Sequence, residues 1–229
     1  MISFFLSEHN AYLVGGLLGL VVWLGIFLKR SDLRNEMIIM SIVGGLLAVF
    51  TEPYFLKDYW RAELISGFSL PFSDFLFGFS WGGVAATIYT IAFPGTRWNP
   101  VYKSHTVLFF IILFSFLLLF HLGVNFTSIN SIYIAILMTV LSSTAGLLLR
   151  KDLFGIAFTS AFIFSIIYFA FFRGFILLLY PQLLIKFWLL HNLSGINIIG
   201  VPIEEILWAA SCGFMFGPAY KFMNGLGKK

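Results

Sequence analysis

The chain has 229 residues, of which 60% are hydrophobic and only 10% are charged, and its mean hydropathy is +0.96. Soluble domains carry about 25% charged and about 45–50% apolar residues. This composition excludes a soluble globular domain and indicates a single integral membrane domain over residues 1–229. The net charge is +4, and nothing in its distribution indicates nucleic-acid binding. The single cysteine, Cys212, excludes an internal disulfide and a cysteine-based metal cluster.

Seven runs are long and apolar enough to cross a bilayer, which needs about 20 apolar residues per helix. In chain order they cover about residues 11–28, 37–56, 71–94, 106–124, 129–149, 153–172 and 202–220. The seventh is the least hydrophobic, because Glu204 and Glu205 stand at its start. Residues 173–201 are apolar but interrupted by Pro181, and we expect them to contain an interfacial helix and a returning loop.

Lysine and arginine predict the orientation, because cytoplasmic loops of membrane proteins carry an excess of these residues. With the N-terminus outside, the outer segments hold only Lys57, Arg61, Arg173 and Lys186. The inner segments then hold Lys29, Arg30, Arg34, Arg97, Lys103, Arg150, Lys151, Lys221, Lys228 and Lys229. We therefore predict a multi-pass protein of the cell membrane with its N-terminus outside and its C-terminus in the cytoplasm.

The third and seventh runs share a sequence pattern at a constant offset of 131 residues. The matched pairs are Pro71 and Pro202, Asp74 and Glu205, Leu76 and Leu207, Phe77 and Trp208, Ser80 and Ser211, Gly82 and Gly213, and Tyr89 and Tyr220. Upstream, Trp60 and Ser66-Gly67 resemble Trp188 and Ser194-Gly195. The pattern predicts two three-helix repeats, about 11–94 and 129–220, joined by a linker helix at about 106–124. Since both repeats begin outside, they are expected to be parallel, related by an axis along the membrane normal.

Ionisable residues collect near the outer ends of the predicted helices: Glu52, Asp74, Arg173, Glu204 and Glu205. Such residues are costly in a bilayer and usually face the bundle interior or a cavity. The acids at the start of the third and seventh helices also fit a simpler role, because the helix dipole favours acids there. Neighbouring helix positions do not face each other, so Glu204 and Glu205 are expected to diverge, one acting while the other holds a partner such as Arg173.

The segment from Trp188 to Trp208, with its Pro202-Ile-Glu-Glu sequence, resembles the signature of the membrane-embedded lycopene cyclase domain. That type occurs as paired subunits in some bacteria and as a fused form in archaea and fungi, with one copy of the signature in each three-span unit. In the first repeat Ser73 replaces the first acid of the pair and leaves only Asp74. Glu52 falls near the acidic position that the family carries at the end of its second span.

The resemblance implies an enzyme of carotenoid biosynthesis, an intramolecular lyase or isomerase that cyclises the end of a linear polyene such as lycopene. The reaction is redox-neutral, so the resemblance implies no electron-transfer cofactor, and no Gly-rich fingerprint for one is present. We expect Glu204 and Glu205 to carry the protonation, with Glu52 and Asp74 as counter-charges or proton acceptors. The substrate-binding residues are expected to be Trp60, Phe77, Trp188 and Trp208 as aromatic walls, together with Arg173.

The expected partners are a polyene or other isoprenoid substrate and membrane lipid, while homo- or hetero-oligomerisation stays open. Two other functions stay open on the sequence alone. A small-solute transporter also fits a three-plus-one-plus-three helix arrangement, and the chain also fits a non-catalytic subunit of a heteromeric membrane enzyme. A retinal-binding protein is excluded because it needs a lysine within the seventh helix, and Lys221 lies only at the inner end.

Overall fold

The computed structural model describes residues 7–61 and 70–228, so Ser66 and Gly67 lie outside the described residues. Within these ranges the chain is mainly helical. Its α-helices are α1 (Ala11–Lys29), α2 (Arg34–Asp58), α3 (Leu70–Ala92), α4 (Thr106–Phe126), α5 (Ser131–Leu149), α6 (Phe154–Phe171), α7 (Leu183–Phe187) and α8 (Ile203–Met223). Four short strands form two antiparallel pairs, β1 (Trp98–Pro100) with β4 (Leu226–Lys228) and β2 (Asn197–Ile198) with β3 (Val201–Pro202).

Six segments of the described chain are long and apolar enough to cross a membrane. They are Ala11–Lys29, Ser31–Asp58, Pro71–Ala92, Thr106–Phe126, Ser131–Leu149 and Lys151–Leu179. Many large apolar side chains on these helices are exposed on the surface of the bundle, where lipid is the only solvent that accommodates them. The chain is therefore an all-α membrane protein.

Helix α8 lies in the interior of the bundle, where it packs against α3, α5 and α6. Close packing depends on small residues, as is usual between membrane helices. A Cβ atom added at Gly44 in α2 would collide with the backbone of Gly78 in α3. A Cβ atom at Gly213 in α8 would meet the backbone of Ser160 in α6. The helix pairs α2–α3 and α6–α8 consequently form the most extensive helix contacts in the described residues.

One end of the bundle, which we call the acidic end, is closed by polar contacts of Asp58. Its carboxylate accepts hydrogen bonds from the Ser131 backbone N–H (3.0 Å) and the Ser131 hydroxyl (2.5 Å), and its carbonyl accepts one from the Asn192 amide (2.8 Å). Nearby, Trp60 and Trp188 pair through an isolated antiparallel bridge. These contacts bring together the end of α2, the start of α5 and the segment that precedes α8.

The opposite end, which we call the basic end, contains the start of α2 and the end of α8. Glu36 and Lys221 form a buried ion pair between these helices, and Lys221 also donates to the carbonyl of Ala86 in α3 (3.1 Å). Arg150, directly after α5, donates to the carbonyl of Leu226 in β4 (2.7 Å). Helices α2 and α6 therefore begin at the basic end, whereas α5 and α8 begin at the acidic end.

The turns that connect α1 to α2 and α5 to α6 have the same local structure. Arg30 donates two hydrogen bonds to Asp32 (2.9 and 2.7 Å), and Arg150 donates two to Asp152 (2.8 and 2.7 Å). Each turn contains a single turn of 3₁₀ helix, Ser31–Leu33 in one and Lys151–Leu153 in the other. The similarity relates the first two helices of each predicted repeat.

The region around Arg173 differs from the sequence-based expectation. Helix α6 does not end there but continues through a π-helical turn, Phe172–Ile176, to Leu179, because the sequence stays apolar. The following segment contains the five-residue α7 and the hairpin of β2 and β3. Gly200 (φ +83°) and Ile199 (φ 51°) form the turn of this hairpin, which leads the chain directly into α8.

Candidate active site

A cavity of about 200 Å³ lies between the helices in the half of the bundle that contains the acidic end. Its walls come from both predicted repeats and from α4. The walls are mostly apolar and rich in aromatic rings, which include Phe55, Trp60, Phe77, Trp81, Phe116, Phe164, Phe171, Phe172, Phe187, Trp188, Trp208 and Phe216. Three carboxylic acids line the cavity: Glu8, Glu52 and Glu205. Glu52 and Glu205 come from the two predicted repeats, whereas Glu8 precedes the first of them and pairs with Lys186.

Glu205 is buried, with 4% of its surface exposed, and its carboxylate accepts three side-chain hydrogen bonds. The donors are the Tyr59 hydroxyl, the Tyr168 hydroxyl (3.0 Å) and the Trp188 indole N–H (2.9 Å). Tyr168 lies on α6, Trp188 lies in the segment before α8, and Tyr59 directly follows α2. Three elements of the fold therefore hold this carboxylate in one position.

Tyr59 lies just outside the membrane-spanning part of α2. Burial and the nearby Glu205 carboxylate raise the pKa of Tyr59, so its hydroxyl keeps its proton and acts as a donor. Hydrogen bonds donated to a carboxylate stabilise its charged form. The three donors around Glu205 therefore offset part of the cost of a buried negative charge on this side chain.

The Glu52 and Asp74 carboxyls form a second acidic group, on α2 and α3. Both are buried, at 5% and 1% exposure, and they are close enough to interact electrostatically. The indole of Trp60 lies within hydrogen-bonding reach of Glu52, and the Tyr12 hydroxyl lies within reach of Asp74. One oxygen of each carboxyl, Oε1 of Glu52 and Oδ1 of Asp74, has no hydrogen-bond partner among the described residues.

Glu204 points away from this cavity. Its Oε1 accepts hydrogen bonds from the Tyr133 hydroxyl (2.6 Å) and from the Ser194 backbone N–H (2.8 Å). The side chain thus ties the segment before α8 to α5. As expected from the helical geometry, Glu204 and Glu205 diverge, but Glu204 does not line the cavity that the sequence assigned to both.

The four aromatic residues proposed from the sequence all line the cavity: Trp60, Phe77, Trp188 and Trp208. The Trp60 and Trp188 ring centroids are 5.5 Å apart, and those of Phe77 and Trp208 are 6.4 Å apart. Arg173, in contrast, is not among the cavity-lining residues of the described chain, and no ion pair joins it to either glutamate there. The structure therefore does not bring Arg173 to the cavity or to either glutamate.

Four tyrosines that contact the acids are not among the residues expected from the sequence: Tyr12, Tyr59, Tyr133 and Tyr168. Tyr168 also packs against Trp208, with ring centroids 5.5 Å apart. Polar side chains in or beside an apolar run are a signal for bundle-facing positions, and that signal identifies these tyrosines as candidates. Within the described residues, no three His, Cys, Asp or Glu side chains gather in a way that could hold a metal ion.

Comparison with known proteins identifies one family. The family model described as lycopene cyclase matches residues 10–92 and 130–223 of this chain. The matched segments contain Glu52, Asp74, Glu204 and Glu205 and, apart from Phe116, every aromatic residue that lines the cavity. They leave out α4, which contains Phe116. No curated protein and no solved structure matches the chain.

Proposed function

Because the chain belongs to the lycopene cyclase family, we propose that it closes a ring at the end of a linear polyene such as lycopene. The membership supports a carotenoid cyclase-like function. The finer proposal is an acid-initiated, redox-neutral cyclisation by an intramolecular lyase or isomerase. The observation that carries it is one aromatic cavity that carboxyl groups of both repeats line, Glu52 from one side and Glu205 from the other.

The size of the cavity suits the end of a polyene. A dry apolar cavity of about 150 Å³ accommodates a benzene molecule. The cavity of about 200 Å³ therefore has room for a methylated six-membered ring but not for a whole polyene chain. Apolar walls also exclude water, which would otherwise capture a carbocation intermediate.

We assign the acid to the Glu52–Asp74 pair. Two buried carboxyls near each other do not both ionise cheaply, so the pair retains a proton, as in other carboxyl dyads. Each carboxyl also has an oxygen without a hydrogen-bond partner in the part of the chain that the structure describes, and Glu52 lines the cavity. This assignment differs from the expectation drawn from the sequence, which gave the protonation to Glu204 and Glu205.

Glu205 then acts as the carboxylate of the site. In the proposed reaction, the acid pair transfers its proton to the terminal double bond, and a carbocation forms at the neighbouring carbon. A second double bond farther along the chain then attacks this cation. The new carbon–carbon bond closes a six-membered ring, and the positive charge moves to the other carbon of the attacking double bond, which is now a ring carbon. Loss of a ring proton to a carboxylate restores a double bond, so that no atom or electron is gained or lost overall. The negative charge of Glu205 and the faces of Trp208 and Phe77 stabilise the cation.

We also propose that seven helices span the membrane as two parallel three-helix repeats, α1–α3 and α5, α6 and α8, with α4 as the connecting helix. Helix α8 has 21 residues, a length of about 30 Å, which suits a bilayer core. Its charged side chains, Glu204, Glu205 and Lys221, all have partners inside the bundle. The similar turns after α1 and α5, and the shared direction of α2 and α6, support the repeat.

The decisive experiment is pigment analysis of lycopene-producing cells that express this chain alone. We expect lycopene to be replaced by a product of the same mass with one or two rings. Cells that express the Glu205→Gln variant at equal level serve as the control and should retain lycopene. A purified, folded chain that leaves lycopene unchanged and transports a hydrophilic solute into liposomes would refute the proposal.

A further inference from the structure

A groove lies between α4, α5 and α8, on the side of the cavity that faces the basic end. It has a volume of about 50 Å³ and is open at its side. Phe116 of α4 and Met215 of α8 line both the cavity and the groove, so the two spaces adjoin at these residues. The groove itself is lined farther along by Phe109, Ile112, Leu113, Ser142, Ser143, Gly146, Leu147, Pro218, Ala219 and Phe222.

The cavity and the groove follow a single face of each helix. On α8 the lining residues recur every three or four positions from the acid to the last turn: Glu205, Trp208, Cys212, Met215, Ala219 and Phe222. On α5 they recur in the same way: Ile132, Ala135, Thr139, Ser142 and Gly146. Residues with this spacing form one stripe on a helix. From Glu205 to Phe222 the stripe is about 25 Å long, which is most of the thickness of a bilayer core.

The walls of the groove suit a hydrocarbon chain. The Ser143 hydroxyl donates a hydrogen bond to the carbonyl of Thr139 (2.7 Å), so it offers no free donor to the groove. Gly146 and Ala219 on the facing helices leave the space that a larger side chain would fill. A Cβ atom at Gly146 would lie 3.6 Å from Ile112 and 3.7 Å from Phe222, in ordinary contact.

We propose that this groove holds the short part of the polyene that directly follows the reacting end, where the uncyclised chain leaves the cavity. The proposal rests on the proposed function and adds a binding site for this part of the substrate. Only the end of the chain fits the cavity, so the next part must leave it. Within the described residues, the groove continues the same helical stripes, and its open side lets the rest of the chain pass into the lipid. Helix α4, which lies outside the segments matched by the family model, supplies one wall of this site.

Photolabelling in nanodiscs tests the site directly. The probe is a linear polyene of the length of lycopene that carries a diazirine on the chain, a few carbons beyond its unmodified end group. We expect peptides with residues 109–113 and 142–147 to be labelled, and excess lycopene to suppress the labelling. Labelling spread over the outer faces of the bundle would overturn the proposal. The proposal would also be overturned if phosphatidylcholine, and not lycopene, suppressed the labelling of the groove, because the groove would then hold lipid chains.

Side chains that fill the groove provide the matched variants. Gly146→Leu should reduce labelling roughly tenfold or more, because exclusion of two methylene groups from an apolar site has about that effect. Gly146→Ala should keep normal labelling, since the added methyl group fits. Gly25→Leu makes the same change on α1, where no atom lies within 4 Å of the Cβ position, and should have no effect. If Gly146→Leu does not fold, Ala219→Leu narrows the groove from α8. Normal labelling in the folded variant that narrows the groove would overturn the proposal.

Labelling requires no turnover, so the two proposals fail separately. A chain that binds the polyene in the groove but forms no ring contradicts the proposed function. A chain that forms rings but is labelled elsewhere contradicts the groove alone.

Discussion

Replacing Glu205 by glutamine removes the negative charge from the cavity while it preserves the size of the side chain. The amide still has one oxygen that accepts hydrogen bonds, but its nitrogen no longer accepts from the donors around it. Those donors are the hydroxyls of Tyr59 and Tyr168 and the indole N–H of Trp188. A preorganised group that stabilises transition-state charge contributes roughly 10²–10³-fold to turnover. We therefore expect the Glu205→Gln variant to lose about that factor.

The same change should have a modest effect on stability. A hydrogen bond to a charged group contributes about 1.5–3 kcal/mol, and glutamine loses the equivalent of about one such bond. Burial of a neutral amide costs less than burial of a charged carboxylate, and this difference offsets part of the loss. The variant should consequently fold and insert, with a free energy of unfolding lower by no more than about 2 kcal/mol.

Glu204→Gln is the matched control, because it makes the same substitution one residue away. Glu204 is equally buried and binds Tyr133 and Ser194, but it does not line the cavity. We expect a comparable loss of stability and less than a tenfold loss of turnover. Chromatographic quantitation of ring product per folded protein measures turnover, and thermal unfolding in detergent measures stability. Near-normal turnover in Glu205→Gln, or equal loss in both folded variants, would refute the role of Glu205.

Three further predictions follow from the same geometry. Glu52→Gln or Asp74→Asn should lower turnover roughly 10²–10⁴-fold, as for loss of a general acid, and ring formation at the normal rate in both would exclude the pair as donor. Reporter enzymes fused at the C-terminus and within residues 125–128 should report opposite sides of the membrane, and a common side would contradict the seven-helix layout. Lys221→Met should lower the free energy of unfolding by about 3–5 kcal/mol, because Glu36 stays buried without a partner. In the double variant with Glu36→Gln, thermal unfolding should show that most of this lost stability is restored. A double variant that is no more stable than Lys221→Met alone would argue against the ion pair.

Much of the helical architecture could be predicted from the sequence, because lipid imposes long apolar helices. The predicted starts and ends of the first five runs lie within a few residues of the helices. The offset that relates Asp74 to Glu205 also identified two acids near the cavity. Helix-start prolines and a fixed register survive as sequence patterns because they depend on local backbone geometry.

The side-chain partners could not be predicted, because they depend on how distant segments meet. Glu204 turns to Tyr133 and Ser194 only because the segment before α8 folds back over α5. Arg173 lies in a π-helical turn, where the side-chain directions depart from those of a regular helix. No periodicity in the sequence indicates such a turn. The sequence predicts that the sixth run ends at residue 172, just before Arg173, so it gives no sign that the helix continues through this residue.

The asymmetry between the two proposed repeats is consistent with one shared reaction centre. Ser73 stands in the first repeat where Glu204 stands in the second, so the acidic pair of the signature is incomplete there. The missing acid at Ser73 would impair catalysis only if the first acid of each pair were catalytic. In the second repeat that acid serves to anchor a segment, and it does not reach the cavity. Ser73 itself lines the cavity, where a third carboxyl beside Glu52 and Asp74 would add a buried charge with no cation to balance it. A serine at this position therefore leaves the proposed acid pair intact, and the incomplete signature does not argue against cyclase activity.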